Sequence, residues 1–389
     1  MLKIKNPIAV FVALWLFVLY IYSKRYSLVL TPLSVETFIY VLSICLSFTL
    51  AYYTIKGLFF NKKLRNDNNF VESQNLYVKL GKVFKIWIFF TLIEIAFFRG
   101  LPLLAILGLG GDSGRYTEWG IPSLHGFLNA MIITISNYLF YFYLKTKNRK
   151  YLWLYLSCVM WPILLITRQM LMSMVVQAAF IYILSNNIKT SSIIKVVLAA
   201  FGVVCLFGIV GDLRSGGDSF IELVQPSSDY PSWLPSGVLW VYVYMVSPLN
   251  NVNFNLQKFP DFYFDPSPLV SPLFPSFIRE KIFSESNVFN FQLVNENLNV
   301  STMFPSYLTS FGYYGSLIFY FILGLLITFI YFKFRSKKAN LKWLFVLGVI
   351  FHNLIFSVFV DFFFNLVFLF QFVLHFYISS TLKFSNDKD

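Results

Sequence analysis

Charge is the scarcest commodity in this sequence. Only 13% of its 389 residues are Asp, Glu, Lys or Arg, where a soluble domain carries roughly a quarter. That shortage excludes a soluble protein. Cysteine is scarcer still, at three. Cys45, Cys158 and Cys205 all fall inside apolar runs, which argues against a disulfide framework or a zinc site. The chain also lacks a Walker loop, a dinucleotide fingerprint, an HExxH motif and a Ser nucleophile elbow, so no cofactor is expected. Asp261 and Asp265 bracket "FYF", but loop carboxylates are usually solvated, and no metal is expected there.

What is abundant is apolar. Hydrophobic residues make up 57% of the chain and aromatic residues 20%, with 47 Phe and 24 Tyr. Apolar runs near the ~20 residues needed to cross a bilayer as helix recur throughout. The sequence therefore predicts an all-α, polytopic helical membrane protein forming a single integral membrane domain over 1–389. About ten spans are expected: 7–23, 34–55, 82–98, 124–144, 151–166, 169–185, 193–211, 307–332, 342–360 and 363–382. The fifth and sixth, joined tightly at Thr167-Arg168-Gln169, are open to an alternative reading as one broken or re-entrant element. The first span follows Lys3 and Lys5 like a signal peptide, but "LYIYSKRY" offers no small-x-small cleavage site, so an uncleaved span is expected.

The basic residues set an orientation. The loops 56–81, 145–150, 186–192 and 333–341, with both termini and the adjoining helix ends, hold 22 of the 31 Lys and Arg. That side is expected to be cytoplasmic. The side opposite holds nine, and its composition differs: six are arginines, namely Arg25, Arg99, Arg115, Arg168, Arg214 and Arg279. Topology is served equally well by Lys or Arg. Arg is the better residue where a planar, permanently charged fork grips phosphate or carboxylate in two places. Arg25, just beyond the first span, reads as a headgroup anchor. The other five lie in loops with Gly, Pro and acidic residues, which has the composition of a site; headgroup anchoring or pairing with acids is the plainer alternative.

Two external segments carry these arginines. Residues 99–123 contain "GLPLLAILGLGG", about half a span long, followed by "GDSGRYTEWG", and read as a re-entrant-like or interfacial loop. Residues 212–306 form a large loop between spans seven and eight. It opens with "GDLRSGGD", which suits either anion binding by backbone amides around Arg214 or a flexible helix exit. Within it, "GVLWVYVYMVSPLNNVNFNLQ" (237–257) is expected to be an amphipathic helix over the outer mouth, with Asn, Gln, Tyr and Trp of the kind that face sugars. A true span there is the alternative, and it would invert every later orientation. Pro266, Pro268, Pro272 and Pro275 make 260–280 a rigid connector. Inside the spans, Glu94, His352 and His375 are nearly the only ionisable groups, and they look too scattered for a relay. For His375 the expectation is aromatic packing with one hydrogen bond.

An enzyme whose reactive groups face outward cannot rely on cytoplasmic nucleotides. Its activated substrate must travel in the membrane, and a lipid-linked pyrophosphate sugar fits. Departure of the sugar leaves charge on the pyrophosphate, which fixed arginines stabilise. Arg99, Arg115 with its neighbour Tyr116, Arg168, Arg214 and Arg279 are the binding candidates. The acceptor hydroxyl needs a base within reach, and His125 and Glu118 are the catalytic candidates. Glu118 serves equally well to hold Arg115, and His125 to cap the fourth span.

The stretch "RYTEWGIPSLHGFLNAM" (115–131) resembles the segment typical of Wzy-type oligosaccharide repeat unit polymerases, the O-antigen polymerases. "TRQMLMSMV" (167–175), "GDLRSG" (211–216), "YVYMVSPLNN" (242–251) and "SFGYYGSLIFY" (310–320) extend the resemblance over about residues 95 to 330. It implies a GT-C-like glycosyltransferase of the bacterial inner membrane, with both termini cytoplasmic and the active site periplasmic. Its implied partners are the undecaprenyl-pyrophosphate-linked glycan donor and acceptor, membrane lipids and a chain-length regulator, with no nucleic acid. Periplasmic-loop arginines would hold the pyrophosphates. The related ligases use a loop histidine as base, but the large loop here contains no His. A lipid-linked oligosaccharide flippase or an O-antigen ligase are the rival functions. A membrane acyltransferase is disfavoured because the sequence offers no evident His–acid pair near the membrane surface.

Overall fold

The computed structural model describes residues 3–58, 72–111, 118–186, 223–231, 233–234, 236–283, 291–336 and 339–380. Among them the architecture is helical, without extended strands, and an isolated β-bridge joins Ser27 to Pro226. The helices are α1 (Pro7–Tyr22), α2 (Val35–Leu58), α3 (Leu76–Phe97), α4 (Pro102–Ile106), α5 (Leu124–Thr146), α6 (Arg149–Leu164) and α7 (Arg168–Ser185). They continue with α8 (Ser236–Asn255), α9 (Ser267–Val270), α10 (Ser276–Ile282), α11 (Phe304–Arg335), α12 (Lys342–Phe356) and α13 (Leu366–Ile378).

Helix starts follow local chemistry. Asn6, Asn148 and Asn365 each turn a side-chain oxygen back to an orphan amide, of Ile8, Lys150 and Val367 respectively. Pro7 occupies the first turn of α1, where its missing N–H costs nothing.

Five segments are long and apolar enough to cross a membrane: Val35–Leu58, Leu76–Ile106, Leu124–Thr146, Arg168–Ser185 and Phe304–Arg335. This is a helical membrane protein by length and composition, with five full-length spans among the described residues where ten are expected over the whole chain. Helices α1, α12 and α13 are apolar but have 16, 15 and 13 residues. At 1.5 Å per residue they fall short of the ~30 Å hydrocarbon core. The expected 193–211 span lies outside the described residues. The 151–166 and 169–185 spans are separate helices, α6 and α7, divided by a turn in which Ile166 adopts φ 59°.

Helix α11 lies along α2, and α5 packs against α3, α6, α7 and α13. Helix α12 bridges the two groups through α1, α7, α11 and α13. Lys79, Lys145 and Lys333 mark one end of the bundle, called here the lysine end. His125, Arg168 and Asn365 mark the other, the site end.

Two details near the site end bear on the expected external loop. Helix α11 breaks at Gly312, whose φ of 72° and ψ of −173° are not helical. A Cβ there would meet Pro260 O at 2.5 Å, so only glycine fits. The connector runs into the break: Tyr313 N donates to Pro260 O, Tyr314 N to Asp261 O and Tyr263 N to Phe311 O. Polar backbone freed by the break is thus paired within the protein, as an apolar surrounding demands. The connector expected from its prolines is present, divided into α9, a 3-10 turn and α10.

Helix α8 departs from its expected role. Its Asn-rich end does not look outward. Asn250 accepts from Thr31 N and from Tyr22 Oη, while Asn251 donates to Leu298 O and Val300 O. Asn253 accepts from Ser34 N, and Asn255 accepts from Gln292 N. Asn250, Asn251 and Asn255 are buried. These amides staple the α1–α2 loop and the 291–300 segment to α8, so they are framework and not sugar contacts.

Candidate active site

The site end is organised around a carboxylate that the sequence presents as isolated. Glu94, in the last turn of α3, is fully buried. Its Oε1 accepts from Ile121 N at 3.0 Å, and its Oε2 lies 3.0 Å from His125 Nδ1. One side chain therefore pins the loop 118–123 and orients the imidazole at the start of α5. A carboxylate buried in an apolar helix is costly unless paired and hydrogen-bonded, and both conditions are met. With Glu94 ionised, Nδ1 carries the ring proton and Nε2 is the basic nitrogen.

The surrounding loop is shaped to hold this ring. Gly120 has φ +103°, and a Cβ there would lie 2.6 Å from His125 Cγ. Trp119 is buried, meets the imidazole edge-on with centroids 5.1 Å apart, and donates from Nε1 to Gly100 O at 3.0 Å. Arg99 and Ser123 take φ of 52° and 69°. Left-handed backbone at non-glycine residues is strained, and such strain gathers at functional sites. Ser123 Oγ also accepts from Ser276 N at 3.0 Å. That bond ties α10, which carries exposed Arg279 on its next turn, to the loop preceding His125.

One turn along α5 from His125 is Asn129, a wall of a cavity of about 250 Å³. Thr167, Arg168, Gln169, Ser173 and Asn365 supply the rest of its polar lining. Arg168 is the cation in this lining, at the first position of α7. Near the base of the cavity Ser173 Oγ lies 3.0 Å from His352 Nε2, and His352 Nδ1 lies 3.0 Å from Asn353 Oδ1.

The candidates from the sequence thus divide. His125, Arg168, Arg279 and Arg99 come to one end of the bundle, linked through Asn129, through the Ser123–Ser276 bond and through the Trp119–Gly100 bond. Glu118 is exposed beside Trp119. Arg115, Tyr116 and Arg214 lie outside the described residues. Three corrections follow. Glu94 is not a scattered intramembrane charge, because it is the partner of His125. His352 is tied to the cavity through Ser173. His375 is packed between aromatic rings as expected, but neither ring nitrogen has a hydrogen-bond partner among the described residues. The Glu94–His125 pair also removes the ground on which acyl transfer is disfavoured by sequence. Its one signal in the sequence is an acid inside an apolar span, a placement that costs too much to be idle.

Comparison with protein-family models, curated proteins and solved structures gave no match.

Proposed function

We propose that this chain is a membrane glycosyltransferase that polymerises oligosaccharide repeat units carried on undecaprenyl pyrophosphate, working at the outer, periplasmic face of the bacterial inner membrane. The observation that carries the proposal is the His125–Glu94 pair set one helical turn from a polar cavity lined by Arg168. The acceptor sugar hydroxyl of a new lipid-linked unit gives its proton to His125 Nε2 as it attacks the donor's anomeric carbon. Glu94 holds Nδ1 and stabilises the imidazolium that forms. The bond from the anomeric carbon to the pyrophosphate oxygen breaks, and Arg168, with Arg279 and Arg99 from the same end, meets the charge left behind. Arg115, Tyr116 and Arg214 belong to the same proposal through the family resemblance, as does a chain-length regulator.

Acyl transfer to a glycan hydroxyl is the second reading, because a His–Glu pair serves it equally well. The arginines separate the two. Pyrophosphate departure needs fixed positive charge, whereas departure of a thiol does not. Purified protein incubated with its lipid-linked repeat unit should yield a ladder of longer glycans, and Arg168→Ala should abolish it. Acylated glycan made from an acyl donor, without a ladder, would establish the second reading. Movement of the lipid-linked unit across vesicles without elongation would establish a flippase instead.

A further inference from the structure

Below the cavity lies a polar layer that the proposed reaction does not use. Thr134 and Asn137 of α5, Gln177 of α7, and Gln371 and His375 of α13 are all fully buried. Asn137 donates from Nδ2 to Gln177 Oε1 at 2.6 Å. Thr134 Oγ1, Asn137 Oδ1, Gln177 Nε2, both amide atoms of Gln371 and both nitrogens of His375 have no hydrogen-bond partner among the described residues. Buried polar atoms are almost always satisfied, and each exception costs stability. Seven such atoms left bare would outweigh the net stability of an ordinary domain, which calls for a polar partner.

The side chains lie on neighbouring turns of α5 and of two helices packed against it. Helices α5 and α13 run parallel. Phe127 meets Phe370 with centroids 4.8 Å apart, Tyr138 meets His375 at 5.7 Å, and Tyr138 Oη lies 2.7 Å from Ser379 Oγ. Thr134 is one turn before Tyr138, and Gln371 is one turn before His375. The Asn137–Gln177 bond joins α7 to them.

The layer also adjoins the cavity. Ile133, Ser173 and Phe368 line the cavity, and each is within about one helical turn of Thr134, Gln177 or Gln371 in its own helix. A space of about 250 Å³ admits several waters at roughly 30 Å³ each. Toward the lysine end the layer is closed. Phe345 stacks on His375 at 5.2 Å, the Tyr138–Ser379 bond lies alongside, and beyond them Lys79 donates to Ser380 O and sits over the Tyr377 ring at 5.5 Å.

We infer that the layer is an aqueous half-channel: water admitted through the Arg168 cavity fills it and puts His375 in proton exchange with solvent at the site end. Its ligand is water and the proton that water carries. The elements packed on His375 present Tyr138 and Phe345 to it, and no carboxylate among the described residues. A neutral imidazole with both nitrogens wetted takes up and releases a proton there. This inference does not depend on the glycosyl-transfer reading.

The test is deuterium exchange at the imidazole carbon between the ring nitrogens, followed by mass spectrometry on the full chain in lipid nanodiscs. This exchange takes the C–H proton from the protonated ring, so it needs both water and proton uptake at the imidazole, and it needs no substitution. His375 should exchange at a rate of the same order as half-buried His125. Silence at His375 while His125 exchanges would overturn the inference. Gln371→Leu, which plugs the layer above His375, should abolish the His375 signal and spare that of His125. Unchanged His375 exchange in a folded Gln371→Leu protein would also overturn it. The unsubstituted measurement decides the matter alone if the variant does not fold.

Discussion

The Asn-rich end of α8 and the corner around His125 are both polar islands in an apolar chain, yet they are built in opposite ways. On α8, Asn250, Asn251, Asn253 and Asn255 spend their amides on loop backbone, on short bonds such as Asn251 Nδ2 to Leu298 O at 2.7 Å. At the other corner, one carboxylate gives one oxygen to the Ile121 amide and the other to the His125 imidazole, and beside it Arg168 and Gln169 are exposed at a cavity. Backbone does not follow this division: Arg99, Ser123 and Ile166 take positive φ at the site end, and Arg25 and Gln225 do so beside the loop that α8 holds. Polar groups that satisfy backbone build a framework, while polar groups that satisfy one another and face space are arranged for a ligand.

Glu94→Gln should break this comparison most sharply. The amide can still accept from Ile121 N, but then it turns an NH2 toward His125 Nδ1. That favours the tautomer with the proton on Nε2, which cannot act as base. Glycan elongation should fall by about 100-fold or more, with insertion and thermal stability nearly retained. Gly120→Ala ranks next. Its Cβ would meet His125 Cγ at 2.6 Å in a backbone conformation with φ +103°. Both stability, by about 1–2 kcal/mol, and activity should drop. Asn251→Ala is the framework counterpart: it leaves Leu298 O and Val300 O without their amide donor. Stability should fall by about 1–3 kcal/mol, while activity per folded molecule stays unchanged. An activity loss in Asn251→Ala with no loss of stability would dissolve the distinction between the two regions.

The helical membrane class and the placing of Arg99, Arg168 and Arg279 at one end of the bundle were legible in the sequence, because they rest on composition and on charge pattern. The Glu94–His125 pair was not. The two residues are 31 positions apart, and only the return of 118–123 onto the end of α3 joins them. Asn250 and Asn251 misled for a related reason. Composition reports hydrogen-bonding capacity but not where the partner lies, and backbone of the α1–α2 loop leaves no side-chain signature. Hydropathy measures apolar length and not helix length: the apolar stretch is divided into α12 and α13 by the turn 357–365 around Asp361.

That turn yields the smallest predicted effect and extends the comparison to a third polar group. Burial pushes the Asp361 carboxyl up to about 7, against the lowering effect of hydrogen bonds from Phe363 N and Tyr307 Oη. A carboxyl raised in the folded state binds its proton more tightly there than in the unfolded chain. The resulting stabilisation is complete below the ordinary Asp range near 3.9 and is lost as pH rises through about 7. The protein should therefore melt lower at pH 8 than at pH 5 in the same detergent, all else being held constant. Asp361→Asn keeps an oxygen for Phe363 N at the observed 2.9 Å and removes the titration. Its melting temperature should vary less between the two pH values, with a gain of about 1 kcal/mol at pH 8. An equal pH slope in both proteins would place Asp361 with the solvated acids instead of the framework.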